Sequence, residues 1–396
     1  MKKKLWKMLI VLVALTFVIT ACGPGAPAEE EQAEEPSTEV TEVEEEAAEE
    51  EAAEEEAEEE SAAELKVCFV NNTTINDQGW SYSHNQGRLY LEENLEGVTT
   101  SYVDEVYDTG GVDAAKVYQD LVTQGCEVIF GTSFGYNDAI AEVAEKNPEV
   151  MFLNYDQFKL AENIASYRLK ADEGLYLTGI LAGMATEDDL IGVVGTFPIP
   201  QLIREINGFA LGVQAVNPDA TIKVVWLNSW YDPARAKEAA EGLINAGADV
   251  IQQFTTSAAA VQAAEEKGVL ALGYQVDQSE FAPEYLMTSM LYHWGPVYVE
   301  LTEMIQNGNW ESGEYWYGLA EEAVGIGPYG PKVTDEMKAS VEEAQAEIIS
   351  GELEIFEGPI RDQSGEIRVP EGEALTLDEL LEMDWLVAGI EGTVSE

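Results

Sequence analysis

The chain has 396 residues, with 76 acidic and 20 basic side chains and a formal net charge of −56. A surface of that sign repels phosphate backbones and anionic lipid, which excludes nucleic-acid binding as the function. The length beyond residue 64 is enough for two lobes, each with its own core.

Lys2, Lys3, Lys4 and Lys7 precede an apolar run from Met8 to Ile19, too short to span a bilayer. Residues 1–22 therefore read as an export signal, ending Ile19-Thr20-Ala21-Cys22. That ending resembles the lipobox of bacterial lipoproteins and makes Cys22 the expected lipidation site. The alternative is a plain secretory cleavage site with an incidental cysteine. From Gly23 to Glu64 there are 20 glutamates and no basic residue. Like charges three and four apart repel, and no face is apolar, so ordering entropy is not offset. Residues 23–64 are expected to be a disordered acidic tether. The part beyond it carries about −40. No later run is long and apolar enough to span a bilayer. Membrane contact is expected through the lipid anchor only, at the extracytoplasmic face of the cell membrane.

After Leu65, strands alternate with helices. LKVCFV, TTSYV, EVIFG, EVMFLN and ENIASY read as buried strands, with AAKVYQDLVTQG and YNDAIAEVAEKNP as helices between them. The run GLYLTGILAGMAT, residues 174–186, reads as a small-residue helix suited to close packing. Beyond Asp188 and Asp189 the alternation restarts with LIGVVGTF, IKVVWLN, DVIQQF and VLALGY. A later helix over 296–307 is placed back on the first lobe. The fold class is α/β: a clamshell of two Rossmann-like lobes joined by hinge crossovers. Lobe 1 is expected over 65–188 plus 278–312, and lobe 2 over 189–277 plus 313–396.

Cys68 lies inside the first strand and Cys126 just ahead of a later one. The two strands would be neighbours in a doubly wound sheet, which leaves a disulfide open, but adjacent parallel strands rarely offer bridging geometry and two buried thiols are expected. His84 and His293 fall in no metal-ligand spacing, and neither a metal nor a cofactor is expected. Residues 131–135, GTSFG, match the nucleophile elbow, with Ser133, Asp277 and His293 in hydrolase chain order. No oxyanion loop precedes the serine, so the turn is read as a binding loop and the chain as a non-enzyme. GIGPYG at 325–330 loses the donors of a phosphate cradle to Pro328 and the following Pro331.

Aromatic residues remain at strand ends: Trp80, Phe134, Tyr155 and Trp230, with Trp294 further on. Amides and carboxylates lie near them, among them Asn72, Gln275 and Asp277. Rings that stack and polar edges that read hydrogen bonds suit a flat base.

From Leu65 to about Ile390 the chain resembles the basic membrane protein family of ABC-transporter substrate-binding lipoproteins. The motifs that carry this are NDQGWSYSHNQGR, IFGTSFGY, TFPIPQLIREINGFALG, VNPDATIKVVWLNSWYDP, AAEEKGVLALGY, GPIRDQSG and EMDWLVAGI. The resemblance implies a type I periplasmic-binding fold and a purine ligand, with an ABC permease and its ATPase as partners and the protein acting as a monomer. It also implies that Trp80, usually phenylalanine in the family, stacks on the base against Trp230, and that Asp277 reads its edge. Phe134, Tyr155 and Trp294 would wall the pocket. Two departures stand out. Gln275 replaces an aspartate, and Thr288-Ser289-Met290-Leu291-Tyr292 lacks the lysine of nucleoside-type members. Both point to a base without its sugar, such as adenine or hypoxanthine; a nucleoside, another small solute or a receptor's sensing module are the alternatives.

Overall fold

The computed structural model describes residues 64–107 and 113–394; the export signal, Cys22 and almost all of the acidic tether lie outside the described residues. The predicted runs become β1 (Leu65–Val70), α1 (Trp80–Asn94), β2 (Val98–Val103), α2 (Ala114–Thr123), β3 (Val128–Gly131), α3 (Asn137–Ala144), β4 (Met151–Tyr155) and β5 (Ile164–Leu169). Next come α4 (Ala171–Ala185), β6 (Leu190–Gly195), α5 (Pro200–Val216), β7 (Thr221–Trp226), α6 (Pro233–Asn245), β8 (Val250–Phe254), α7 (Ala259–Lys267), β9 (Leu270–Gln275) and β10 (Leu286–Tyr292). The chain continues through α8 (Trp294–Gln306), β11 (Glu314–Tyr317), β12 (Val324–Ile326), α9 (Asp335–Ser350), β13 (Ile360–Arg361), β14 (Ile367–Val369), α10 (Leu377–Leu381) and β15 (Ile390–Glu391).

Local chemistry sets these limits. Asp232 accepts from the Arg235 N–H at 3.0 Å and, with Pro233, starts α6. Gly268 and Gly351 end α7 and α9 in the left-handed region. β3 and β8 are buried at every residue, the pattern of parallel strands covered on both faces.

Two sheets result, one per lobe. The first has the order β11-β5-β4-β3-β1-β2 and is parallel throughout. The second has the order β12-β10-β9-β8-β6-β7-β15, parallel except where β12 meets β10. The chain passes between the sheets three times: after β5, after β10 and after β11. This is the two-lobed α/β clamshell.

The lobe limits differ from those expected. Leu286–Tyr292 was placed in lobe 1 but is a strand of the second sheet; Glu314–Tyr317 was placed in lobe 2 but edges the first. The small-residue helix α4 packs on α5 of the second lobe. Gly179 and Gly212 lie so close to the facing backbone that a β-carbon on either would collide with it. Hydropathy marks a strand, but the sheet it joins is decided by which edge is free, and that is not local information. α8 packs on α1, with Gly87 of α1 against Trp294 and Tyr298.

The cysteine expectation also fails: Cys68 and Cys126 form a disulfide, with Cα atoms 5.9 Å apart. Cys126 lies in the turn before β3, with its N–H on the Leu121 carbonyl. It is therefore not held in the strand direction, and its β-carbon can converge on that of Cys68. Both sulfurs sit in the core with Val70, Tyr118 and Leu121.

The last segment is tied to lobe 2. Asn207 donates to the Trp385 carbonyl at 2.8 Å and accepts from the Val387 N–H at 2.9 Å, while β15 extends the sheet beside β7. Among the described residues no helix is long and apolar enough to cross a membrane.

Candidate functional site

The carboxyl ends of both sheets converge on one slot, where ligands bind in open α/β sheets. From the first lobe come Asn72 after β1, Trp80 at the start of α1, Thr132, Ser133 and Phe134 after β3, and Tyr155 at the end of β4. Facing them are Thr196 after β6, Ile199, Gln201 and Leu202 at the start of α5, Trp230 after β7, Phe254 and Thr256 at the end of β8, and Tyr274 and Gln275 of β9. The space between them, its open mouth included, is about 480 Å³.

Asp77 builds the loop that carries Trp80. Its carboxylate accepts from the N–H groups of Gly79, Ser81 and Tyr82 at 2.9–3.0 Å and from the Thr73 hydroxyl at 2.7 Å. These are the donors that the first turn of α1 leaves open. Burial nevertheless raises the Asp77 carboxyl above its ordinary value, with those four donors pulling the other way. Asp77→Ala is expected to lower stability by about 3 kcal/mol, because three N–H groups lose their partner. Thermal denaturation checks this, and an unchanged midpoint would remove Asp77 from the account. The loop meets the other lobe at Gly79, where a β-carbon would strike the Thr256 backbone and the Gln275 side chain.

Trp80 is only 7% exposed. Its indole Nε1 donates to the Thr132 carbonyl at 2.8 Å, and its ring is met edge-on by His84 at 4.6 Å and Tyr155 at 4.8 Å. A ring held by a hydrogen bond and aromatic edges offers a fixed surface. Trp230 stands on the opposite lobe, packed on Phe197 at 4.7 Å. Phe134 is at the mouth, 46% exposed and paired with Phe158.

No lining side chain carries a charge. The polar ones are amides and hydroxyls, and two buried atoms among them, Thr196 Oγ1 and Gln275 Oε1, have no hydrogen-bond partner. Such atoms cost about 1–3 kcal/mol each unless something pairs with them. Gln275, Asn228, Asp156 and Gln78 also hold left-handed backbones, at φ 73°, 50°, 57° and 63°. Each costs roughly 1–2 kcal/mol for a residue with a β-carbon. Gln275 lines the slot, Asp156 directly follows Tyr155, and Asn228 and Gln78 each lie two residues before a slot tryptophan, Trp230 and Trp80.

Six of the residues singled out in the sequence thus line one slot: Asn72, Trp80, Phe134, Tyr155, Trp230 and Gln275. Two do not. Trp294 lies behind Trp80, its Nε1 on the Ser83 hydroxyl at 3.1 Å, and borders a separate cavity near the hinge. Asp277 is exposed; it accepts from the Ser279 N–H at 2.9 Å and borders a surface depression with Asn76 and Glu280. It lies two residues past the end of β9, so the chain has already turned away from the slot. Sequence reasoning missed Thr196, Gln201, Thr256 and Tyr274. The strand-to-helix turn in TFPIPQ follows the same rule that flagged Trp80, and would have found the first two.

The hydrolase arrangement is absent. Ser133 is in the slot, Asp277 is at the surface, and His293 lines the hinge cavity with its Nδ1 on the Glu322 carbonyl. Among the described residues no cluster of histidine, cysteine and acidic side chains could hold a metal.

Residues 64–359 match the profile of Bmp, described as ABC transporter substrate-binding protein, PnrA-like. The chain belongs to this family. It is 38% identical over 329 residues to a purine-binding protein of Brucella abortus, covering 83% of this chain and 93% of that one. A provisionally named glucose-binding ABC transporter protein of Haloferax volcanii is 35% identical, covering 83% of this chain and 81% of its own length. The nucleoside-binding protein BmpA of Lactococcus lactis is 25% identical, over 70% of this chain and 83% of that one. An ABC transporter solute-binding protein of Aeropyrum pernix shares the fold, with a TM-score of 0.65 at 20% identity, covering 73% of this chain and 92% of that chain. This Bmp protein is therefore a substrate-binding component, not an enzyme. Its place is extracytoplasmic, and its partners are a small-molecule ligand, a permease and an ATPase. The disulfide suits that side of the membrane, where thiols oxidise.

Proposed function

We propose that this protein, anchored through lipid on Cys22 and acting as a monomer, closes its two lobes over a purine nucleobase of the adenine or hypoxanthine type. The liganded form is then what the ABC permease recognises. The observation that carries this is the uncharged slot flanked by Trp80 and Tyr155 on one lobe and Trp230 on the other. A charged phosphate or a cation would find no counter-charge there, whereas a neutral ring finds stacking surfaces. Thr196 and Gln275 offer the unpartnered oxygens that N–H groups of a base would satisfy, with Asn72 on the facing lobe. The relative from Brucella abortus, named as purine-binding, supports the same class.

A sugar is the second reading, favoured by the name of the Haloferax volcanii relative, and a nucleoside combines the two. Isothermal titration of residues 65–396 against adenine, hypoxanthine, guanosine and glucose separates them. Heat is expected with the free bases, at affinities in the micromolar range or tighter, about −8 kcal/mol or better. Heat with glucose alone would end the base reading.

A further inference from the structure

Glu205 lies on α5 with no exposure to solvent, one turn along from Gln201. Three donors meet its carboxylate: the Tyr274 hydroxyl, the Gln201 amide N–H at 2.9 Å and the Tyr292 hydroxyl at 3.3 Å. The adjacent Arg204 pairs with Asp172 at 3.1 Å instead and lies over the Trp316 ring. Two of the three donors, Tyr274 and Gln201, are wall residues of the slot. Glu205 is thus one side chain away from a ligand on two paths.

An ionised carboxylate only accepts hydrogen bonds. With Glu205 ionised, Tyr274 turns its proton to the carboxylate and Gln201 turns its NH₂ group there. What both then present to the slot are lone pairs, on the phenol oxygen and the amide carbonyl. A protonated Glu205 has a donor of its own. It can give that hydrogen bond to the Tyr274 oxygen, which frees the phenol proton to turn from the carboxylate toward the slot or the Tyr292 oxygen 3.1 Å away. No covalent bond changes except the one proton gained or lost by the carboxyl.

We propose that Glu205 is a positioning residue that sets the hydrogen-bond polarity of the slot through Tyr274 and Gln201, and so selects between amino-edged and keto-edged purines. This rests on the purine reading. Burial pushes the Glu205 carboxyl up to about 7, against the pull of the Tyr274 and Gln201 hydrogen bonds. The other titratable or charged groups facing it are Tyr274 on β9, Tyr292 on β10, Tyr155 on β4, Arg204 on its own helix and Asp172 on α4. Burial pushes all three phenols well up, so they stay protonated, and Asp172 is held in its pair with Arg204. Of Glu205 and the three phenols, it is Glu205 whose raised value, about 7, lies near neutrality.

The sign follows. Adenine carries an amino group where hypoxanthine carries a carbonyl oxygen. Lone pairs on the wall favour the amino edge, so adenine gains on hypoxanthine as pH rises through about 7, where Glu205 ionises. Two measurements test this. Infrared difference spectra of the ligand-free protein, recorded in a Glu173→Gln background because burial raises that carboxyl to about 7 as well, should show a carboxylic acid C=O band titrating near neutral pH that is missing once Glu205→Gln is added. Calorimetric affinities for adenine and hypoxanthine should give a ratio that rises roughly fivefold between about pH 6 and pH 8 in the wild type. That ratio should stay flat in Glu205→Gln and rise less than in the wild type in Tyr274→Phe, which keeps the carboxyl and the Gln201 path and removes only the relay hydroxyl. Taking a ratio cancels any effect of pH on closure, including that of Glu173, which burial also raises to about 7. A missing band, or a flat wild-type ratio with the band present, overturns the proposal. Absence of heat with every purine sinks the ligand reading instead, and the band still decides whether Glu205 titrates.

Discussion

Trp80→Ala is expected to weaken binding of a purine base by roughly 5- to 150-fold, the loss of one stacking partner at about 1–3 kcal/mol. The same change also costs stability, because the ring is a core residue with His84, Tyr155, Tyr292 and Trp294 against it. Emptying such a site costs about 3–5 kcal/mol. Trp80→Phe separates the two effects. It keeps an aromatic face and gives up the hydrogen bond to the Thr132 carbonyl, worth about 1 kcal/mol. Its affinity should stay within about tenfold of wild type. Titration calorimetry on both variants, with melting curves to confirm folding, makes the comparison. An unchanged affinity in a folded Trp80→Ala protein would move the ligand elsewhere.

The second large effect concerns the Cys68–Cys126 disulfide, which closes a loop of 58 residues around α1, β2 and α2. Restricting a loop of that length in the unfolded chain is worth roughly 4 kcal/mol in the chain-entropy account. Reductant, or Cys126→Ser, should therefore lower the melting temperature by about 6 °C in a domain of this size. The slot itself should be untouched, because Cys126 precedes β3 and Cys68, midway along β1, packs into the core with Tyr118 and Leu121 and does not line the slot. Melting curves with and without reductant read the first expectation, and calorimetry under reducing conditions reads the second. Equal melting temperatures would mean that the bridge does not form in the folded protein.

How far the slot was legible in the sequence differs from residue to residue. Trp80, Phe134, Tyr155 and Trp230 stand out in the sequence because each reads as lying at or after a strand end and outside the core; in the structure Trp80 and Tyr155 are core residues as well as slot walls. The same rule misplaced Asp277, which follows its strand just as closely but lies beyond the turn, in water. Trp294 follows β10 at once and still faces the hinge side, because it opens a helix that leaves for the other lobe. Position after a strand limits where a side chain can be, within a residue or two. Which face it takes depends on the dihedrals of that turn. Gln275 and Asn228, with their left-handed backbones, could not be foreseen from residue type.

By itself the sequence determined that strands and helices alternate, that two lobes form and that the chain belongs with the substrate-binding proteins. Periodicity and motif are local properties, and the chain carries them whatever its neighbours do. Only the tertiary structure decided that β10 joins the second sheet and β11 the first, that the two cysteines are bridged, and that Glu205 is buried beneath the slot wall. Each of these depends on residues distant in sequence meeting in space, and no local pattern encodes such a meeting.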